Sequence, residues 1–275
     1  MTDGIAEIGF RRHDGLTRLT HLYQRDPLRV LFPAPAAGDP PLAVIVTTSG
    51  GLVAGDRLDI AVTLAPGAAV HVTASAAEKI YRSTGRTTTV GQSLSIGAGA
   101  ALEFLPPETI LFDGARLWRE TRIDLAPGSA FLGGDIVVFG RRARSERFTY
   151  GFLREVWEVR RDGELVWGDA LHLEDDVARI VAHPACFDGA AAFATMILAP
   201  PEQDPRRFLE GARTIQSAGA GGILRAGVTA IAGLVIARWL AADASLLRHA
   251  YADLACHFRC AALGLAPRLP RIWHV

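Results

Sequence analysis

A run of alternating apolar and polar residues recurs three times along the middle of this chain, each time bent by a glycine turn. Leu58 to Val72 turns at Pro66-Gly67, Gln92 to Phe104 at Ala98-Gly99, and Thr121 to Leu132 at Pro127-Gly128, so the glycines fall 32 and 29 residues apart. A period of two marks a strand with one buried face, and glycine takes the positive φ that such turns demand. One strand–turn–strand unit cannot bury its apolar face alone, so successive units have to stack. The spacing therefore predicts a mainly β body of stacked strands, solenoid-like or sandwich-like. Separate hairpins of an ordinary sandwich would satisfy the same pattern.

The flanks extend this body. Leu28 to Phe32 and Leu42 to Thr48 read as strands around a proline-rich loop. Phe148 to Arg160 and Glu164 to Leu173 read as a hairpin, because Asp162-Gly163 suits a type I′ turn. Beyond residue 190 the texture changes. Phe193 to Leu198 is strand-like, and Pro205 to Gln216 is helical with proline in its first turn. Two strands, Val228 to Ala232 and Leu234 to Leu240, flank Gly233, and a last helix runs from its cap Asp243 to about Leu263, stopped by Gly264. The expected organisation is a β body over residues 1–190 and a β-α-β-β-α segment, with two helices, over 191–275 packed on it.

Composition excludes several roles. Twenty-nine basic residues balance 29 acidic ones, so no field exists to hold nucleic acid or an anionic membrane. Three cysteines are too few for a disulfide framework and fit a reducing compartment. The N-terminal stretch lacks the apolar core of a signal peptide, and the longest apolar run, Val228 to Leu240, is 13 residues and too short to span a bilayer. These features predict a cytoplasmic protein. Neither a phosphate-binding G-x-x-x-x-G-K-[ST] loop nor a G-x-S-x-G elbow is present.

Charge concentrates between the repeats. Ala77 to Ser83 holds Glu78, Lys79, Tyr81 and Arg82, and Lys79 is the single lysine beside 28 arginines. In a strand Glu78, Ile80 and Arg82 share one face and Lys79 and Tyr81 the other, so one charged side must meet water, a cavity or a partner. The equivalent place after the second unit, Pro106 to Arg116, holds Glu108 and Asp113. Stacking is expected to line up Glu78, Glu108 and Asp113 along one side. Such carboxylates suit glycoside cleavage, a weak oxygen path for a divalent ion, or simple turn capping with Lys79, Arg82 and Arg116.

Two other groups invite the same question. On the last helix Leu247, Ala250, Tyr251, Leu254, Phe258 and Ala261 form the expected buried stripe, with His249, Asp253, Cys256 and Cys260 opposite. That opposite face is either a soft-metal site or a solvated surface with incidental thiols. His172 to Asp176 reads as a solvated loop, and Arg271-Ile272-Trp273 as either a packed tail or a docking one.

Several blocks carry a family likeness. Thr48 to Leu58 resembles the Gly-Gly-Leu…Gly-Gly-Asp segment of the urease accessory protein D family (also called H). Ala77 to Ser83, Pro106 to Leu117, Gly140 to Glu146 and Pro270 to Val275 are similar to its other blocks, in order along most of the chain. Ala54 and Ser145 stand where that family usually has glycine, and Pro107 where glutamine is common. The resemblance implies a largely β, non-catalytic scaffold that binds urease apoprotein with accessory protein F and the GTPase accessory protein G during nickel insertion. It also implies an internal passage for nickel, with no tightly bound cofactor. Asp56, Glu78, Glu108 and Asp113 are the candidates for transient nickel contact, and Lys79, Tyr81, Arg82 and Trp273 for partner contact. The rival readings are a β-solenoid carbohydrate-active enzyme using Glu78 and Glu108, and a metal-independent β binding module.

Overall fold

The computed structural model describes residues 2–201, 204–218 and 224–274. The chain opens with β1 (Asp3–His13), β2 (Leu16–Arg25), β3 (Leu28–Leu31) and β4 (Leu42–Thr47). The first repeat is β5 (Arg57–Leu64) and β6 (Ala69–Ala74), followed by a short β7 (Glu78–Ile80). The second is β8 (Thr88–Ile96) and β9 (Ala101–Phe104), followed by a short β10 (Thr109–Leu111). The third is β11 (Arg116–Leu125) and β12 (Ala130–Phe139). Then come β13 (Gly151–Arg161), β14 (Glu164–Asp175), α1 (Val177–Ala182) and β15 (Ala192–Ala199). Last are α2 (Leu209–Ala218), β16 (Leu224–Ile231), β17 (Leu234–Ala241) and α3 (Ala244–Leu263).

Within a repeat the two strands do not pair with each other. β5, β8 and β11 run side by side in one sheet (β14-β13-β11-β8-β5-β1-β2), and β6, β9 and β12 in a second (β16-β17-β15-β12-β9-β6-β4-β3). Each repeat is an arch joining two sheets, and the separate-hairpin alternative fails. Register repeats the glycine spacing. Leu58 pairs with Val90 and Ala69 with Ala101, each 32 residues on, whereas Thr88 pairs with Leu117 and Ala101 with Ala130, each 29 on. The turns stack as well: the amide of Gly67 donates to Ala98 and that of Gly99 to Pro127, at 2.9 and 3.0 Å. At Gly67, Gly99 and Gly128 φ is +70°, +62° and +67°, in the left-handed region where a side chain is strained.

Two cores result. Inward residues such as Leu58, Val62, Leu94, Leu117 and Ile123 fill the space between the sheets. The outer face of the second sheet buries Leu132, Met196 and Trp239 against Leu247, Tyr251, Leu254 and Phe258 of α3. Asp243 caps α3 by accepting the amides of Ser245 and Leu246, and Gly264 ends it at φ +66°. The buried stripe finishes on Ala262 rather than Ala261, since Ala262 lies four residues beyond Phe258 on the same face.

Other differences have local causes. β15 pairs with β12, so the strands of the C-terminal segment continue the second sheet while its helices cover it. His172 to Asp175 is the end of β14 rather than a loop, because Leu173 points into the core and is 2% exposed. Asp176 then caps α1. The hairpin β1–β2 is not among the strands the pattern predicts. Its core contribution is Ala6, Ile8 and Phe10 alone, and β2 is exposed almost throughout. Among the described residues no helix is long and apolar enough to cross a membrane.

Candidate functional site

Where the arches leave the second sheet, the chain builds a third, shorter ladder. Leu52 bridges to Ile80 in parallel, β7 pairs with β10, and β10 pairs with the end of β12. The amide of Leu52 donates to Lys79, that of Glu78 to Glu108, and that of Gly140 to Leu111. Four of the family-like blocks, some 30 residues apart in sequence, are therefore neighbours on one face. Gly51 shows why the first block needs its glycine: φ is +140°, and an added Cβ would lie 2.5 Å from the Tyr81 ring. Ala54 is not among the residues with positive φ, so that departure costs nothing, whereas Ser145 sits at φ +56°.

Cations lie over rings on this face. The Arg141 guanidinium is 4.0 Å from the Phe112 centroid, and Tyr81 meets Phe112 edge-on at 4.8 Å. Arg82 lies over Tyr150 at 5.6 Å, and Lys79 is exposed. Tyr81 and Arg82 thus each meet a ring, Phe112 and Tyr150, while Lys79 reaches solvent. Trp273 does not join them. It is 3% exposed, donates from Nε1 to the Leu105 carbonyl at 3.0 Å and stacks on Tyr251. The tail is packed, and its indole is not free for docking.

The four candidate acids separate. Asp56 accepts the amides of Thr2 and Val53 at 2.7 and 3.0 Å. Burial alone would raise its pKa, but those hydrogen bonds outweigh it and hold the carboxyl below its ordinary value. Asp113 accepts both the amide and the hydroxyl of Thr149, pinning the loop after the fourth block. The register pairs Glu78 with Thr109, so Glu78 faces inward and Glu108, one residue along, faces outward. Glu108 meets Arg248 of α3 at 3.3 Å. The stacked segments are adjacent as expected, but their carboxylates do not line one side, and the paired-carboxylate hydrolase loses its geometry.

Glu78 opens on the interior. Burial pushes its carboxyl up, and Thr47 donates to it at 2.5 Å. It borders an internal cavity of about 70 Å³ between the sheets, together with Thr47, Thr109 and Arg119. Arg119 is buried and donates to Thr109 at 2.8 Å, to Asp135 at 2.5 Å and to Glu155. Glu155 lies directly beside Arg119 in register, and Asp135 reaches it from the facing sheet. Burial raises both acids, Glu155 to about 8, with the neighbouring Asp135 charge adding to the rise and Arg119 opposing it. At neutral pH the pair therefore holds a proton.

A second buried group sits on the helix side of the same sheet. Arg259 meets Glu103 at 2.6 Å and Asp39 at 3.2 Å, Arg268 meets Asp39 at 3.1 Å, and His71 lies 3.2 Å from Glu103. Sequence reasoning missed both groups, although each breaks a pattern. Arg119 and Glu155 occupy the apolar parity of their strands, as in Leu117-x-Arg119-x-Thr121-x-Ile123. The cysteine face gathers no ligand set, and among the described residues no three metal-ligating side chains come together. Burial also raises the Cys256 thiol, away from the thiolate a soft metal wants.

The stacked arches, the motif-bearing loop face and the buried charged group inside define a two-sheet, arch-stacked β protein. Comparison with known proteins makes this specific. The family model described as "UreD urease accessory protein" matches residues 2–274. The "Urease accessory protein UreD" of Magnetococcus marinus is 43% identical over 99% of this chain and 94% of its own length. That of Rhodopseudomonas palustris (strain BisA53) is 39% identical over 98% of this chain and 90% of its own. The chain belongs to the UreD urease accessory protein family, whose members are helpers rather than catalysts.

Proposed function

We propose that this chain serves urease maturation in the cytoplasm, as a scaffold that binds urease apoprotein together with accessory protein F and the GTPase accessory protein G and gives nickel a passage into the enzyme. The observation that supports the reading most directly is the coincidence of two features. The family-like blocks stack into one face, and beneath that face lies a buried polar interior carrying Glu78, Arg119, Asp135 and Glu155. Protein-binding chemistry is on the outside: Arg82 and Arg141 with Tyr81 offer guanidinium and aromatic surface of the kind enriched in interfaces, and the exposed Lys79 adds a charge beside them.

The interior suits a transient cation. Nickel is cargo here, and a delivered ion must leave, so weak and replaceable oxygen donors serve better than a closed ligand set. Glu78 supplies one such carboxylate. Asp56, Glu108 and Asp113 are engaged in a turn, a helix contact and a loop, and they stand outside the proposed path. Arg119 and the proton held by Asp135 and Glu155 hold down the negative charge, so an ion is admitted without being trapped. Any nucleotide energy comes from accessory protein G.

The test is co-expression of urease with its accessory set. Omitting this chain is expected to abolish activation, and Glu78→Gln to lower nickel content while leaving pull-down of proteins F and G intact. Full activation without the chain would overturn the reading. Normal nickel loading by Glu78→Gln would remove Glu78 from the path.

A further inference from the structure

The N-terminal end of the stack is unfinished. β2 forms the edge of the first sheet and the four-residue β3 the edge of the second. Register pairs Leu22 with Ile8 and Leu19 with Phe10, so both leucines point to the core side of their sheet. Ile8 and Phe10 are 1% and 2% exposed, whereas Leu19 and Leu22 remain 40% and 41% exposed because the short β3 does not cover them. Phe32, also 40% exposed, stands edge-on to Phe10 at the same opening.

The outer face of this edge carries an unresolved charge conflict. Arg11 lies directly opposite Arg18 across β1–β2. Like charges so placed oppose pairing, and among the described residues neither arginine has an ion pair. Among the described residues no further strand lies beside β2, so its outer row of backbone groups is a template for another chain.

We infer that β2 is a docking edge for a partner protein that adds one extended strand of alternating apolar and acidic residues. Backbone pairing along β2 supplies affinity, apolar side chains cover Leu19 and Leu22, and acids on the other face relieve Arg18 and Arg11. A second copy of this chain fits worse. β2 reads Leu-Thr-Arg-Leu-Thr-His-Leu-Tyr-Gln-Arg and brings no acid to the arginine pair. This edge is separate from the loop face of the proposed function, and the inference stands or falls apart from it.

Two labelled decapeptides, one alternating Val and Glu and one alternating Val and Lys, test it on the full chain by fluorescence anisotropy at low salt. The Glu peptide is expected to bind about tenfold more tightly. Hydrogen exchange should show new protection in β2. Arg18→Glu should reverse the preference and Leu22→Glu should abolish binding, with an unchanged urea midpoint confirming that both variants fold. Equal affinity for the two peptides, binding that leaves β2 unprotected, or no binding of either would overturn the inference. So would a concentration-dependent dimer of the free chain that Leu22→Glu dissolves.

Discussion

Two groups of buried charge lie on opposite faces of the second sheet, and they are balanced differently. On the helix side Glu103 and Asp39 face Arg259 and Arg268, two against two, with His71 alongside. On the inner side Arg119 alone faces Asp135 and Glu155, and Glu78 shares its cavity. The balanced group is a staple. It ties the proline-rich loop, through Asp39, and the C-terminal tail, through Arg268, to β9 and α3. The acid-rich group is short of positive charge, and burial raises its carboxyls so that the Asp135–Glu155 pair keeps a proton. Burial by itself does not set how such a group titrates; the balance of charge within it does.

The largest expected effect breaks the staple. Arg259→Leu leaves Glu103, 1% exposed, without its guanidinium. Removing one partner of a buried pair costs about 3–5 kcal/mol, because the surviving charge is stranded in low dielectric. Urea unfolding of the variant should show this loss. A loss below about 1 kcal/mol would mean that water reaches Glu103, and the group would not be a staple.

The next effect reads the acid-rich group through pH. Glu155 titrates at about 8 in the folded chain, against roughly 4.3 for an ordinary glutamate. Between those values the folded state binds a proton that the unfolded state has released, so stability falls as pH rises. Its contribution is whole below the unfolded value and gone above about 8. The slope is about 1.4 kcal/mol per pH unit, hence roughly 2–3 kcal/mol between pH 5.5 and 7.5. Glu155→Gln keeps the neutral shape and should flatten that profile in urea titrations. An unaltered slope would show that the proton is held elsewhere.

The repeat was legible in the sequence and the charge groups were not, for a physical reason. A stack of arches needs the same turn at each layer, and Gly67, Gly99 and Gly128 print that need at the spacing the register later uses. The cap Asp243 and stop Gly264 are local signals of the same kind. Arg119, Asp135 and Glu155 come from three strands, and Glu103 and Arg259 from a strand and a distant helix, so their meeting is decided by sheet order. The sequence does carry a trace of them. Arg119 interrupts Leu117, Thr121, Ile123 and Leu125, and Asp135 interrupts Phe131, Val137 and Phe139. A charge on the apolar parity of a strand signals a buried partner on another element. Glu78 and Glu108 misled for the opposite reason. They occupy similar places in the repeat, but the register offsets them by one residue, and one residue in a strand is the difference between inside and outside.

The smallest effect sharpens the comparison from the rim of the staple. The Arg268 side chain is 47% exposed, and Asp39 keeps Arg259 when Arg268 is lost. Arg268→Leu should therefore cost only about 0.2–1 kcal/mol, the range of solvated pairs. Half a molar salt should erase most of that cost, since screening acts on exposed charge within a few ångströms, while leaving the Arg259→Leu loss nearly unchanged. Two arginines bound to one aspartate would then differ several-fold in worth, through exposure and through the buried Glu103 that only Arg259 meets. If Arg268→Leu proves as damaging as Arg259→Leu, the staple acts as one cooperative unit whose rim is as essential as its centre, and the two-against-two count is the wrong way to divide it.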